Sequence, residues 1–122
     1  MTHVVMLVDD DVSVRRLLAL TLPAEGFEIV ESEGADAVDL AERSHPDLVF
    51  LDWRQPGARG DDVLRGLKRV RTELPVIVLT AEHAPRERET ALALGADLFL
   101  TKPFSPLELI QAVERLLGPD TA

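Results

Sequence analysis

The strongest constraint on this chain is a set of short apolar runs, each too short to cross a membrane and too continuous to leave a wet face. Val4–Val8 and Pro75–Leu79 are apolar throughout, and Asp47–Leu51 is apolar after its first residue. Such runs suit strands buried on both faces, the condition of a parallel sheet covered by helices. Phe27–Glu31 is more mixed and reads as an edge strand, while Asp97–Leu100 supplies a fifth.

Helical spacing fills the intervals. Val14, Leu17, Leu18, Thr21 and Leu22 share one face of a first helix, with Arg15 and Arg16 on another, and Pro23 and Gly26 stop it. Ala35–Arg43 is a second helix through Ala35, Val38, Leu40 and Ala41, closed by Ser44-His45-Pro46. A third, capped by Gly60 or Asp61, carries Val63, Leu64, Leu67 and Val70 and ends before Pro75. The fourth is the most polar, Arg86–Glu89, with only Ala91, Leu92 and Leu94 as an inward face and Gly95 just past its end. Pro106–Leu117 is an amphipathic last helix through Leu107, Leu109, Ile110, Val113, Leu116 and Leu117.

Strands alternating with helices define an α/β fold, a five-stranded parallel sheet with five helices on its two faces. A length of 122 residues leaves room for one domain, residues 1–118, with 119–122 as a tail or linker stub. Cysteine is absent, which excludes a disulfide framework and suits a reducing cytoplasm. The net charge of −9 argues against nucleic acid as a partner of this domain, and neither a membrane span nor a signal peptide is visible.

In parallel sheets, chemistry gathers at the carboxyl ends of the strands. Asp9-Asp10-Asp11, Asp52, Thr80 and Lys102 fall at those ends, after strands one, three, four and five. Converging carboxylates repel, so at least one of them should have a raised pKa unless a cation lies among them. A hard divalent ion with oxygen ligands, Mg2+, resolves the conflict, and such an ion usually meets a phosphoryl group. Thr80 and Lys102 add a hydroxyl and a charge for phosphoryl oxygens. The set describes phosphoryl transfer, with Asp52 or Asp9 as nucleophile. The plainer readings are an N-cap for Asp9–Asp11, a turn-starting residue for Asp52, a β-branched strand residue for Thr80 and a surface lysine for Lys102. A cap needs only one aspartate of three, and Lys102 is one of two lysines in an otherwise arginine-rich chain.

Val8-Asp9-Asp10, Leu51-Asp52, Leu79-Thr80-Ala81 and Thr101-Lys102-Pro103-Phe104 occur in this order along nearly the whole chain. Together they make it resemble the receiver domain of a two-component response regulator, of the chemotaxis-regulator kind. The resemblance implies a flavodoxin-like strand order 2-1-3-4-5. It implies Mg2+ held by Asp9, Asp10, Asp52 and the carbonyl of Arg54, and phosphoryl transfer from a histidine kinase or phosphotransfer protein to Asp52. Thr80, the Ala81 amide and Lys102 would hold the phosphoryl oxygens, the Lys102–Pro103 bond would be cis, and Phe99 would be the aromatic that moves with Thr80. The result is a signalling domain, self-catalysed in phosphoryl transfer and autodephosphorylation but otherwise no enzyme, acting on a downstream effector domain or partner protein. The oligomeric state is left open, because Leu98, Ala112 and Glu114 depart from the dimer pattern of winged-helix regulators.

A competing resemblance uses Asp9-x-Asp11 differently, as the opening of a small haloacid-dehalogenase-like phosphatase with Asp9 as nucleophile. The Gly and Thr expected after the second aspartate are missing. Trp53 is expected to be a half-exposed neighbour of the site, and Arg54 with Glu82 an exposed ion pair across its mouth. His3, His45 and His83 lack metal-ligand spacing.

Overall fold

The computed structural model describes residues 3–55, 58–81 and 84–118. Its central sheet contains β1 (His3–Val8), β2 (Phe27–Ser32), β3 (Leu48–Asp52), β4 (Val76–Thr80) and β5 (Leu98–Thr101), all parallel, in the order β2-β1-β3-β4-β5. The helices are α1 (Val12–Thr21), α2 (Ala37–Ser44), α3 (Gly60–Val70), α4 (Pro85–Ala93) and α5 (Pro106–Leu117). None is long and apolar enough to cross a membrane.

Alternation along the strands divides the core in two. Val5, Leu7, Leu48, Phe50, Ile77 and Leu79 face α1 and α5, meeting Leu18, Leu22, Leu109 and Val113. Met6, Val8, Val49, Leu51, Val76 and Val78 face the other way, onto Ala37 and Ala41 of α2, Leu64 and Leu67 of α3 and Ala91 of α4. This two-sided burial is why the strands read as continuous apolar runs.

Local chemistry sets the ends of the elements. Asp11 caps α1 by accepting from the Ser13 amide at 2.8 Å, so of the three aspartates this is the one that opens the helix. Ser105 and Glu108 form a reciprocal capping box at α5, with Pro106 in its first turn. Gly26 and Gly95, at φ 88° and 104°, turn the chain after α1 and α4.

Several boundaries differ from those expected. β3 begins at Leu48 because the Asp47 carboxylate accepts from the Val4 amide at 2.8 Å, and it includes Asp52. β2 reaches Ser32, paired with Val8. α2 runs from Ala37 to Ser44 rather than from Ala35 to Arg43. Neither Gly60 nor Asp61 caps α3: Arg59 holds that position without a side-chain bond, and Gly60 is the first helical residue. On α4, Ala91 is buried but Leu92 is 63% exposed, so the inward face is narrower than its sequence suggested. A two-stranded antiparallel ribbon, Arg54–Gln55 against Ala58–Arg59, was not foreseen.

Candidate functional site

Strand register assembles the site. β1 ends at Val8 opposite Leu51, Asp52 lies opposite Leu79, and Thr80 opposite Thr101, so three neighbouring strand junctions stop nearly level. Asp9 follows β1, Asp52 and Thr80 end their strands, and Lys102 follows β5. Lys102 Nζ lies 2.8 Å from Asp9 Oδ2, 3.5 Å from Asp52 Oδ2 and 3.8 Å from Asp11 Oδ2. Asp9, Asp10 and Asp52 each offer a carboxylate oxygen within 4.8 Å of the others. Asp9 is fully buried and Asp52 nearly so, whereas Asp10 faces solvent.

Asp9 is fixed from both sides. Its Oδ1 accepts from the Asp11 amide at 2.9 Å, and its carbonyl accepts from Arg15 Nε at 3.1 Å. The Arg54 amide donates to Asp52 Oδ1 at 3.3 Å, bringing the Arg54 backbone beside the carboxylate. Burial raises the pKa of Asp52 to about 6, helped by the charge of Asp9 and opposed by Lys102 and the Arg54 amide. Burial pulls Lys102 down, but the carboxylates of Asp9, Asp52 and Asp11 outweigh it and raise the ammonium above its ordinary value. These are the signs of an acidic cluster short of positive charge. The donor set is all oxygen, with two buried carboxylates and one open to water, which fits a hard divalent ion that retains part of its hydration. Thr80 Oγ1 is buried with no hydrogen-bond partner among the described residues, leaving a hydroxyl available at the same edge.

The surroundings match expectation unevenly. Trp53 is half-buried and packs over the start of α3, where a Cβ on Gly60 would come within 2.8 Å of the indole ring. Ala81 is exposed just after β4, and the Lys102–Pro103 bond is cis. Glu82, the partner expected for Arg54, lies with His83 outside the described residues; among those described, Arg54 pairs with Glu87 of α4, Nε to Oε2 at 2.5 Å. Phe99 is half-buried, with Arg88 Cζ 5.8 Å from its ring centre and Arg88 Nη2 donating to Thr101 Oγ1. His3 lies beside Asp47 and Phe27, and His45 ends α2, both at the end of the sheet opposite the acidic cluster.

Three residues near the site escaped sequence reasoning: Gln55, Glu87 and Arg88. Glu87 and Arg88 were hidden in a run of charges that reads as a solvated face. Gln55, a polar residue before Pro56-Gly57, reads as exposed loop, yet it is 8% exposed.

A family model described as "Response regulator receiver domain" matches residues 5–114. The phosphate regulon transcriptional regulatory protein PhoB of Escherichia coli is 38% identical, over 98% of this chain and 55% of its own length. The chain thus spans about half the length of the curated relatives it matches. Among solved structures, chemotaxis protein CheY4 of Vibrio cholerae superposes with a TM-score of 0.88 at 27% identity, over 95% of this chain and 99% of that one. The receiver domain of sensor histidine kinase PA1611 from Pseudomonas aeruginosa, with a magnesium ion coordinated in its active site cleft, gives 0.85 at 27% identity, over 97% and 99%.

Proposed function

The chain belongs to the response regulator receiver domain family, and from that premise we propose that Asp52 is its phosphoacceptor, within a site completed by Asp9, Asp10, Thr80, Ala81 and Lys102. It is a signalling domain rather than a classical enzyme, which sets aside the phosphatase reading with Asp9 as nucleophile. The observation that carries the assignment is the buried Asp9–Asp52 pair with Lys102 Nζ 2.8 Å from one and 3.5 Å from the other.

Asp9, Asp10, Asp52 and the Arg54 carbonyl would hold Mg2+, the metal coordinated in the PA1611 receiver. When bound, the ion neutralises carboxylate and phosphoryl charge. One carboxylate oxygen of Asp52 attacks the phosphorus of a phosphohistidine on a histidine kinase or phosphotransfer protein. The O–P bond forms as the P–N bond breaks, and the imidazole nitrogen keeps the electron pair and takes a proton. Lys102 Nζ, the Thr80 hydroxyl and the Ala81 amide then donate to the three phosphoryl oxygens. The added charge draws Thr80 toward the phosphoryl group and frees space for Phe99, biasing a two-state face at α4, β5 and α5. Hydrolysis of the acyl phosphate at the same site resets it. Residues 1–118 form the receiver unit, acting in the cytoplasm on an effector domain or a separate partner protein.

The test is mass mapping after treatment with acetyl phosphate and Mg2+. The expected result is a phosphoryl adduct on Asp52 that is absent from Asp52→Asn. An adduct elsewhere, or one persisting in that variant, would overturn the assignment.

A further inference from the structure

The backbone ladder between β1 and β3 ends at the Val8–Leu51 pair, and that between β3 and β4 at Asp52 opposite Leu79, where the Trp53 amide donates to the Leu79 carbonyl. Just beyond these last rungs the carboxylates of Asp9 and Asp52 repel each other. A side chain reinforces this junction. Gln55 Nε2 donates to the Asp52 carbonyl at 3.2 Å and toward the Val8 carbonyl at 3.4 Å. One amide thus spans the carbonyl of the proposed acceptor and the carbonyl immediately before Asp9.

The rest of the side chain indicates that this donor end is what the position requires. Gln55 is 8% exposed, and its Oε1 is buried without a partner among the described residues. A buried amide oxygen left unpaired is unfavourable, so packing alone would favour an apolar residue of the same volume. Turning the amide over would place Oε1 against two carbonyl oxygens, all acceptors, which fixes the orientation by chemistry. The fold also leaves space for it. At Gly34, φ 114°, a Cβ would lie 2.7 Å from the Ala58 Cβ and 3.2 Å from Gln55 Oε1.

We infer that Gln55 is a positioning residue whose side-chain amide braces the end of the β1–β3 ladder and holds the spacing of Asp9 and Asp52 for a divalent cation. The inference rests on the reading of Asp9, Asp10 and Asp52 as Mg2+ ligands. It gives Gln55 no contact with the metal or the phosphoryl group. Once the ion is bound, the ion itself fixes the carboxylates, so Gln55 acts on metal affinity and little on the rate at saturating metal.

The experiment is Mg2+ titration by calorimetry on the wild type, Gln55→Met and Gln55→Glu, with thermal unfolding and the acetyl phosphate rate at saturating Mg2+ measured alongside. Gln55→Met keeps the volume and removes both donors; Gln55→Glu keeps the shape and turns an oxygen toward the carbonyls. Loss of a group behind a metal ligand weakens binding by roughly ten-fold or more. The expected result is about that increase in Kd for both variants, with the saturating rate within about two-fold of wild type and Gln55→Met unfolding near the wild-type temperature. Carbonyl carbon shifts at Val8 and Asp52 in metal-free protein should also change in Gln55→Met. An unchanged Kd in either folded variant overturns the inference, as does a Kd that rises only in step with loss of stability. Wild type that binds Mg2+ but takes no phosphoryl group on Asp52 overturns the acceptor assignment alone; wild type that binds no Mg2+ overturns both.

Discussion

Asp52 is held in a place that does not suit its charge, and that makes a stability prediction. Its folded pKa of about 6 lies above the ordinary 3.8, chiefly through burial and then through Asp9. Between those values the folded chain binds more protons than the unfolded one, so stability falls as pH rises through the window and levels off above it. In metal-free protein Asp52→Asn should therefore be more stable at neutral pH, by about 3 kcal/mol, with the gain fading below about pH 4. Urea unfolding at several pH values measures this, and a gain independent of pH would show that the carboxylate is not the strained group. Arg54 and Glu87 make a smaller prediction. The Arg54 side chain is 76% exposed, so the pair should couple by only about 0.5 kcal/mol in a double-mutant cycle of Arg54→Ala and Glu87→Gln.

Among the elements, α4 has the weakest attachment. Ala91 is its one buried residue, and much of its remaining hold comes from Arg88, which reaches both Phe99 and Thr101 on β5, and from Glu87. A cation over an aromatic face contributes about 0.5–1 kcal/mol at an exposed site. Arg88→Ala should speed amide hydrogen exchange in α4 several-fold while leaving β1 and β3 unchanged; equal exchange in the two proteins would mean that α4 is held by its apolar contacts alone. The same element shows what the sequence could and could not convey. The strands were legible because Val5–Val8 and Val76–Leu79 are buried on both faces, and α5 because its apolar positions recur at helical spacing, although Leu107 is 63% exposed. α4 carries too little apolar pattern to say that Leu92 points outward. The Arg54–Gln55 ribbon was illegible because Gln55 is buried through tertiary hydrogen bonds that local pattern does not encode. At the site, Asp9, Asp52, Thr80 and Lys102 could be placed because each stands at the end of a recognisable strand. The division of labour between Asp11 as cap and Asp9 as buried acid needed coordinates.

For the molecule as a whole, metal, proton and fold are linked through the same carboxylates. The frame is a hydrogen-bonded five-stranded sheet with a core on each face, and its acidic end concentrates an unfavourable term that a bound cation would relieve. If Asp9, Asp10 and Asp52 take Mg2+ only in the folded state, the ion must stabilise folding by RT ln(1 + [Mg2+]/Kd), about 2.7 kcal/mol at one hundred times its Kd. Chelation with EDTA should remove that increment, and Asp9→Asn should lack most of it. Protonated Asp52 must release its proton before it can serve as a ligand, so Mg2+ affinity should rise with pH up to the region of its pKa, about 6, and flatten above it. Both effects can be read in one set of thermal unfolding curves across Mg2+ concentration and pH. Stabilisation by Mg2+ that is the same on both sides of that pKa would remove Asp52 from the ligand set, whereas its loss on acidification, together with its absence in Asp9→Asn, places the ion between the two strand ends.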